Sequence, residues 1–376
     1  MRTRFSHVPQ LAYDVGVTFG CDPELFLEKD GKVIGAEKVI PADGLPGQDW
    51  GGTPTTYHNT GKMVLDGVQI ELNPSPDQCR ANIANKICAM FKTLKSHLAT
   101  MDGISASFTA VVDVDKTELA SLSDKARELG CMPSNNVYDP GATVKVKKGF
   151  RQRSAGGHIH LGYPLLQVRD GREEVMVKVM DVLVGNTCVL LDRDPLAAER
   201  RKLYGRAGEH RLPTYGIEYR TLSNFWLKSY PLFSLVLALS RHATTIVSQS
   251  YQADFRNQKF DYATALLQHV DLEKVVRAIN TNDADLAWEN FSIVEEWFTH
   301  QTQLCNGLSR HRVPKFKAFA LAVQENGLDH FWPGSPIDHW TTIGECHSGG
   351  WETFIDNLSL PMPQPVVADP TIVVIP

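Results

Sequence analysis

Two histidines set between glycines are the first residues of this chain whose types and spacing could do chemistry. His158 and His160 lie two residues apart in the stretch GGHIHLG, residues 156–162. Side chains alternate between the two faces of a β-strand, so the pattern predicts a short strand with both imidazoles on one face. Because glycines have no Cβ, a metal ion or a polyphosphate could approach that face closely.

Three further stretches carry polar side chains with the same spacing. The pairs are Asp22 and Glu24 in GCDPELFL, Gln69 and Glu71 in GVQIELN, and Glu218 and Arg220 in YGIEYR. Strands lying side by side would place these groups and the two imidazoles on one face of a sheet. Carboxylates gathered in this way stay ionised only when cations lie between them. Because oxygen ligands with an imidazole suit Mg²⁺ or Mn²⁺ better than structural Zn²⁺, the sequence predicts a divalent-cation site.

The same region supplies arginines, which bind phosphate with well-defined geometry. Five lie near the polar strands: Arg151, Arg153, Arg206, Arg211 and Arg220. Cations and arginines together stabilise the charge that develops in phosphoryl transfer. The chain has neither a GxxxxGKS/T loop nor a GxGxxG turn after a strand, so ATP would have to bind through another arrangement. By contrast, Arg200 and Arg201 fit a helix on the protein surface.

The composition is that of an ordinary globular protein. The 376 residues are 43% hydrophobic and 22% charged, and the net charge of -5 argues against a dedicated nucleic-acid binder. No apolar run is long enough to span a membrane, and the N-terminus lacks the apolar core of a signal peptide. The seven cysteines are scattered without a Cys-x-x-Cys motif, so we expect reduced thiols and a cytoplasmic protein.

The elements that must position these groups follow from hydrophobic periodicity and turn residues. Strands are predicted at 15–28, 33–36, 63–73, 104–114, 156–162, 215–224 and 371–375. Helices are predicted near 78–101, 116–129, 173–191, 229–250, 261–279, 283–304 and 314–326. Segments 41–62 and 130–142 are predicted loops that, with the C-terminal helices, would set substrate specificity. The simplest division is one catalytic unit, 14–250, followed by a helical C-terminal extension, 251–376.

Taken in order, the motifs resemble those of the glutamine synthetase-like carboxylate–amine ligases. FGCDPELFL resembles the strand of that superfamily with two acids flanking a proline, and GVQIELN, GGHIHLG and GIEYR resemble its Gln-x-Glu, His-x-His and Glu-x-Arg strands. The chain is identified as a member of the phage-type COOH·NH2 ligase family (type 2), with counterparts of ELNPSP, YGRAGEHR and YGIEYRTLSN as well. The resemblance covers roughly residues 17–226.

The resemblance implies an α+β fold in which a mainly antiparallel, curved sheet carries the active site on one face and is backed by helices. It also implies an ATP-dependent ligase. The γ-phosphate would pass to a carboxylate, and an amine would attack the resulting acyl phosphate to form an amide. The cofactors would be ATP and Mg²⁺ or Mn²⁺, and the substrates would be a small-molecule or peptide acid and an amine. If the protein is phage-encoded, it would act in the host cytoplasm.

The resemblance also assigns roles to individual residues. Glu24 and Glu71 would hold one metal ion, and the ligands of the other would be Asp22, His158 and Glu218. Groups near the nucleotide would be His160, Arg151, Arg153 and Arg220. Arg220 would contact the γ-phosphate, and Arg206 or Arg211 would stabilise transfer or hold the substrate carboxylate. The chain departs from glutamine synthetase in having Asp22 where relatives usually carry glutamate, and in lacking an evident N-terminal sandwich domain.

Other interpretations of the same residues remain open at this point. Asp22 and Glu24 would also fit a solvent-exposed strand face, and Glu218 and Arg220 could simply pair along their own strand. A metal-dependent hydrolase could use the His-x-His strand, but the later histidines show no clear metal spacing. A third alternative is an inactive binding or structural protein on the same fold.

Overall fold

The strands are short and pair almost entirely in antiparallel fashion. The computed structural model describes residues 16–46, 60–128, 134–141, 151–163, 170–251, 261–300, 308–342 and 350–360. Its strands are β1 (Thr18–Cys21), β2 (Glu24–Lys29), β3 (Lys32–Ile34), β4 (Leu45–Pro46), β5 (Gly61–Asp66), β6 (Gln69–Pro74), β7 (Ile104–Ser107), β8 (Val111–Asp113), β9 (Asn135–Asn136), β10 (Gln152–Ser154), β11 (Ile159–Gly162), β12 (Glu209–Arg211) and β13 (Gly216–Tyr219). The predicted strand at 371–375 lies outside the described residues, as do 47–59 of the first predicted specificity loop and 130–133 and 142 of the second.

Two larger sheets and a two-stranded ribbon contain all of these strands. The first sheet has the order β1-β11-β13-β12-β9. In the second sheet the order is β3-β2-β6-β5-β4, and β7 also pairs with β2. The ribbon consists of β8 and β10. This arrangement agrees with the expected mixed fold that contains a curved antiparallel sheet.

The predicted single strand at 15–28 is wrong, because the chain changes sheets in its middle. β1 ends at Cys21 in the first sheet, and β2 begins at Glu24 in the second. Pro23 has no N–H to donate to a ladder, and its carbonyl accepts a hydrogen bond from Leu72 of the second sheet. Consequently the polar pairs do not share one face of one sheet. They meet where the two sheets join.

The predicted strand at 63–73 is also wrong, because it is a tight hairpin. β5 and β6 are joined by only two residues, Gly67 and Val68, and Asp66 lies opposite Gln69. Gly67 has a φ of +58°, which suits glycine at the first central position of such a turn. The hairpin folds Asp66 back beside the strand that carries Glu71.

Helices make up most of the described chain after β13, and several also lie between the strands. They are α1 (Arg80–Leu98), α2 (Lys116–Ser121), α3 (Asp124–Arg127), α4 (Arg172–Met180), α5 (Asn186–Val189), α6 (Ala197–Leu203), α7 (Tyr230–Tyr251), α8 (Tyr262–Leu267), α9 (Leu272–Thr281), α10 (Ala284–His300), α11 (Val313–Asn326), α12 (Pro336–Thr342) and α13 (Gly350–Asn357). A π-helical turn, Asp181–Gly185, joins α4 to α5. None of the described helices is long and apolar enough to cross a membrane.

Three helix predictions need correction. The predicted helix at 116–129 is two short helices, and Ser123 caps the second of them. The predicted helix at 261–279 is likewise two, because Asp271 accepts the N–H of Lys274 and starts α9. Arg200 and Arg201 are not on the surface, since they are only 1% and 3% exposed. Arg200 instead donates to four backbone carbonyls near the polar strands.

The C-terminal helices pack against the same core as the catalytic unit. Trp340 of α12 is buried against Phe91 and Phe233, and its indole N–H donates to the carbonyl of Leu227 at 2.7 Å. Arg80 forms a bidentate ion pair with Glu352 of α13. The division at residue 250 stays a prediction, although both parts contribute to one hydrophobic cluster.

Candidate functional site

The polar side chains singled out from the sequence gather in two clusters where the sheets meet. The first, the histidine cluster, consists of Asp22, His158 and Glu218. The second, the acidic cluster, consists of Glu24, Asp66 and Glu71. In each cluster, one candidate ligand atom from each side chain lies within 4.8 Å of the others. The structure thus brings together the five predicted metal ligands and adds Asp66.

Antiparallel pairing in the first sheet positions the histidine cluster. β11 lies between β1 and β13, so that His160 sits beside Gly20 on one side and Glu218 on the other. His158, just before β11, points its Nδ1 to within 2.9 Å of Asp22 Oδ1 and 3.7 Å of Glu218 Oε1. All three cluster residues are buried. Three different segments of the chain therefore converge on one small volume.

The two imidazoles set the charge of Asp22. Burial acts to raise the pKa of Asp22, but His158 and His160 face its two oxygens and hold that pKa well below its usual range. Burial lowers the pKa of His158, with Asp22 opposing the change. Burial also acts to lower the pKa of His160, but the neighbouring carboxylate raises it. Asp22 is therefore anionic at neutral pH, as a cation ligand must be.

The buried hydroxyl of Tyr204 joins His158 to Arg220. Arg220 donates to the Tyr204 oxygen from Nε, at 2.7 Å, and from Nη2. Because a guanidinium only donates, the hydroxyl keeps its own proton for His158 Nε2, 2.5 Å away. His158 then carries its proton on Nδ1, the nitrogen that faces Asp22. A divalent cation in the histidine cluster would take the place of that proton.

Strand pairing in the second sheet positions the acidic cluster. Glu24 of β2 lies directly opposite Glu71 of β6, and the hairpin turn brings Asp66 onto the same face. The side-chain amide of Gln69 and the backbone N–H of Gly156 donate to Glu24 Oε2 at 2.7 and 2.6 Å. The bond from Gly156 ties the acidic cluster to the glycine-rich stretch of the histidine strand.

Burial and, after it, neighbouring negative charges raise the pKa values of the acidic cluster. Burial, followed by the charges of Asp66 and Glu71, raises the pKa of Glu24 well above its usual range. Burial also raises the pKa of Asp66. The pKa of Glu71 rises to about 8, first through burial and then through the charges of Asp22 and Asp66. Without a cation, this cluster therefore retains protons at neutral pH.

Both clusters have the donor atoms that a hard divalent cation requires. In the described part of the chain, Asp22 Oδ1, His158 Nδ1, His160 Nε2 and Glu218 Oε1 are buried and face ionisable partners at 2.9–3.7 Å without well-directed hydrogen bonds. Buried polar atoms are normally satisfied, so these atoms point to a missing partner. Five carboxylates and one imidazole suit Mg²⁺ or Mn²⁺. The residues present therefore fit one such ion in each cluster.

Asp66 is the member of the site that the sequence analysis missed. The signal was present, because Asp66-Gly67 between alternating apolar residues is a strong hairpin indicator. A single strand over 63–73 would have no turn at Asp66-Gly67. In a single strand Asp66 would lie far from Glu71, whereas the turn places it across from Gln69, two residues before Glu71.

The predicted arginines lie in different surroundings. Arg220 and Arg211 approach Glu218 Oε1 at 3.3 and 3.6 Å, so both border the histidine cluster. Arg206 pairs with Glu209 at 2.9 Å. Arg151 donates to the carboxylate of Asp113 in the ribbon and to the carbonyl of Val114, the next residue. Arg153 donates to the carbonyls of Gln152 and Arg127. The roles assigned to these arginines remain predictions.

Comparison with known families bears directly on this arrangement. A model of the family described as Phage phiEco32-like COOH.NH2 ligase-type 2 matches residues 140–298. The match is to the family that the sequence motifs predict. This is a ligase family, which supports an enzyme with carboxylate–amine ligase activity in general. No curated protein matches the chain.

The segment that matches the ligase family contains only part of the site. It includes His158 and Glu218 of the histidine cluster, together with the arginines at 206, 211 and 220. Asp22 and the whole acidic cluster lie before residue 140. Their place in the site therefore rests on the geometry of the fold. The match also runs to residue 298, beyond the predicted end of the catalytic unit at 250.

The raised pKa of Glu71 predicts how stability depends on pH without metal. An acid with a raised pKa binds its proton more tightly in the folded state, so the free energy of unfolding falls as pH rises from 4.5 towards about 8. The slope would be at most about 1.4 kcal/mol per pH unit. Glu71→Gln should flatten this part of the curve, as measured by denaturant unfolding in EDTA. Identical curves for the variant and the wild type would contradict the assignment.

The position of Tyr204 predicts a loss of cation affinity on removal of its hydroxyl. Tyr204→Phe leaves His158 Nε2 and Arg220 without their common partner, and removing such outer contacts typically costs about 10–100-fold in metal affinity. A suitable control is Tyr219→Phe, which removes a buried hydroxyl from the opposite face of β13, where it donates to Asp181 at 2.6 Å. The manganese affinity of each variant is measured by titration, with electron paramagnetic resonance as the readout. Equal affinities in the two variants would exclude this role for Tyr204.

Proposed function

We propose that this protein is an ATP-dependent carboxylate–amine ligase that uses two divalent cations. The observation that carries the proposal is the adjacency of the histidine and acidic clusters, with Arg220 and Arg211 at their edge. The family match supports ligase chemistry in general. The geometry supports a phosphoryl-transfer route to it, because anionic phosphates need cations and guanidinium groups together.

The reaction would proceed in two balanced steps. In the first, a carboxylate oxygen of the acid attacks the γ-phosphorus of ATP, the bond to the bridging oxygen breaks, and ADP leaves. In the second, the amine attacks the carbonyl carbon of the acyl phosphate. Phosphate then leaves and the nitrogen loses a proton, which gives the amide. Bound divalent cations would neutralise phosphate oxygens in this chemistry.

The residues of the chain have separate tasks in this scheme. The three side chains of the histidine cluster would hold the cation nearest the nucleotide. The acidic cluster would hold the second cation, beside the acid. Arg220 would contact the transferring phosphoryl group, where its guanidinium stabilises developing charge. Tyr204 keeps that guanidinium in one orientation through two hydrogen bonds.

A cleft beside the acidic cluster is a suitable site for the acid substrate. It has a volume of about 640 Å³. One wall contains Lys62 and Val64, which alternate onto the same face of β5 as Asp66. Val64 pairs directly with Glu71, so the cleft lies one strand away from the acidic cluster, although the side chains of that cluster do not line it. We assign the acid to this cleft, with the ammonium group of Lys62 facing its carboxylate.

This assignment predicts a selective effect of Lys62→Gln. The KM for the acid should rise by about tenfold, as expected for loss of one exposed or partly desolvated charge pair. The affinity for the magnesium nucleotide should not change. Lys95→Gln is the matched control, because Lys95 is also exposed but pairs with Asp338 far along the chain. If both variants give the wild-type KM, the acid binds elsewhere.

The nucleotide requirement tests the proposed function. The experiment is calorimetric titration of a non-hydrolysable ATP analogue into the purified protein, with and without Mg²⁺. We expect binding only with Mg²⁺, followed by ADP release when acid and amine pairs are screened. A hydrolase would not require the nucleotide, and an inactive scaffold would not turn it over. Well-folded protein that binds no nucleotide under either condition would overturn the proposal.

A further inference from the structure

The side chains of His160 and Tyr215 form one nearly flat aromatic surface. Their ring planes differ by only 14°, and their centroids are 5.8 Å apart. The Tyr215 hydroxyl lies 2.5 Å from His160 Nδ1. A hydrogen bond between ring edges at that centroid distance means that the rings lie side by side rather than one above the other. The result is a continuous surface about two rings wide.

The Tyr215 end of this surface is exposed to solvent, and the His160 end adjoins the histidine cluster. Tyr215 is 41% exposed, whereas His160 is held at its other edge by Asp22 Oδ2, 3.2 Å from Nε2. Within the described residues, Leu321 is the other large hydrophobic side chain with comparable exposure. The hydrogen bond to His160 fixes the exposed Tyr215 ring beside the histidine cluster. Its link to the histidine cluster favours a ligand of that cluster.

The surroundings identify the chemical class of that ligand. The histidine cluster and the guanidinium groups of Arg211 and Arg220 lie at the inner end of the surface, where they suit phosphate groups. A molecule with phosphates at that end and a flat ring system at the other is a nucleoside triphosphate. Nucleobases stack on aromatic side chains through their π-faces, whatever their hydrogen-bonding pattern.

We propose that Tyr215 and His160 form the stacking surface for the nucleobase of the nucleotide. This inference rests on the proposed function and names a subsite within it. The hydrogen bond between the two rings keeps them in one plane, so a base would meet a prepared surface. Aromatic stacking selects poorly among bases, so the subsite would contribute affinity more than discrimination between ATP and GTP.

Two ligands and three variants test the proposal. The ligands are a non-hydrolysable ATP analogue and inorganic triphosphate, each titrated with Mg²⁺ by calorimetry. Tyr215→Leu removes the ring, Tyr215→Phe keeps the ring but removes the hydrogen bond, and Leu321→Ala is the matched exposed control. Tyr215→Leu should weaken the nucleotide by about 10–100-fold, the usual worth of one stacked base, and leave triphosphate affinity unchanged. Tyr215→Phe should lose less, and Leu321→Ala nothing.

The outcomes separate this inference from the proposed function. Equal nucleotide affinity in Tyr215→Leu and the wild type would overturn the stacking surface while leaving the ligase proposal intact. An equal loss for nucleotide and triphosphate would also overturn it, because the side chain would then act on the phosphates. If wild-type protein binds neither ligand, the proposed function fails and the subsite fails with it.

Discussion

Glu218→Gln is expected to lower turnover by about 10²–10⁴-fold, the effect of losing several kcal/mol of charge stabilisation. The substitution keeps the size of the side chain but removes its charge from the histidine cluster. It also removes the negative charge that Arg220 and Arg211 approach at 3.3 and 3.6 Å. Both the cation and the arginines should therefore be displaced. The rate of ADP release with saturating acid and amine measures the effect.

A matched control distinguishes a chemical effect from simple destabilisation. Glu352→Gln also neutralises a largely buried, ion-paired carboxylate, but its partner is Arg80 at the contact between α1 and α13. This variant should unfold more easily and retain turnover. Glu218→Gln should remain cooperatively folded and lose turnover. Normal turnover in Glu218→Gln would remove the basis for placing a cation in the histidine cluster.

The second large effect is expected from Gly156→Ala, because both clusters meet at this glycine. A Cβ added there would lie 2.3 Å from Nε2 and 2.8 Å from Cε1 of His158. The imidazole is buried between Asp22 and Tyr204 and has little room to move. The N–H of Gly156 also donates to Glu24, and its carbonyl accepts the N–H of that residue. The substitution should disturb both clusters at once.

The expected size of this effect follows from overpacking. Inserting a methyl group into a filled site usually costs about 1–3 kcal/mol of unfolding free energy. Cation binding should fall more sharply, because His158 must turn away from its ligand position. Gly20→Ala on neighbouring β1 is the control, since its Cβ would meet His160 at an ordinary 3.4 Å. Thermal unfolding and manganese titration are measured in both. Wild-type cation affinity in Gly156→Ala would show that His158 is not a ligand.

Local alternation was sufficient to find most of the site residues. His158, His160, Glu71 and Glu218 were identifiable because each is paired with a polar residue two positions away in an apolar stretch. The long helices α1 and α7 were also predictable, since their buried side chains repeat with helical spacing. These features depend on near neighbours in the chain, which a single sequence displays directly.

Features that depend on distant pairing were not predictable in the same way. The break at Pro23 sends Asp22 and Glu24 to different clusters, because β1 pairs with β11 while β2 pairs with β6. Neither partner strand is visible from the local pattern. Tyr204 has no alternating neighbour to mark it, and its role arises from a contact with His158, 46 residues earlier.

The burial of Arg200 is not predictable from the sequence for a related reason. Charged side chains are almost never fully buried unless they are paired, so a surface helix was the reasonable prediction for Arg200. In the fold, backbone carbonyls at Ala155, Thr221 and Leu222 accept from its guanidinium. Those carbonyls lie in the segment between β10 and β11 and in the segment that follows β13. Arg200 therefore holds together two segments that carry candidate ligands, which only the tertiary structure reveals.

The number of bound cations tests the central claim most directly. Manganese is titrated into the protein in the presence of a non-hydrolysable ATP analogue, and bound ions are counted by electron paramagnetic resonance. We expect two bound ions per chain in the wild type. Glu218→Gln should lose the ion of the histidine cluster, and Glu71→Gln should lose the ion of the acidic cluster. A wild-type protein that binds no manganese, or two variants that still bind both ions, would contradict the account.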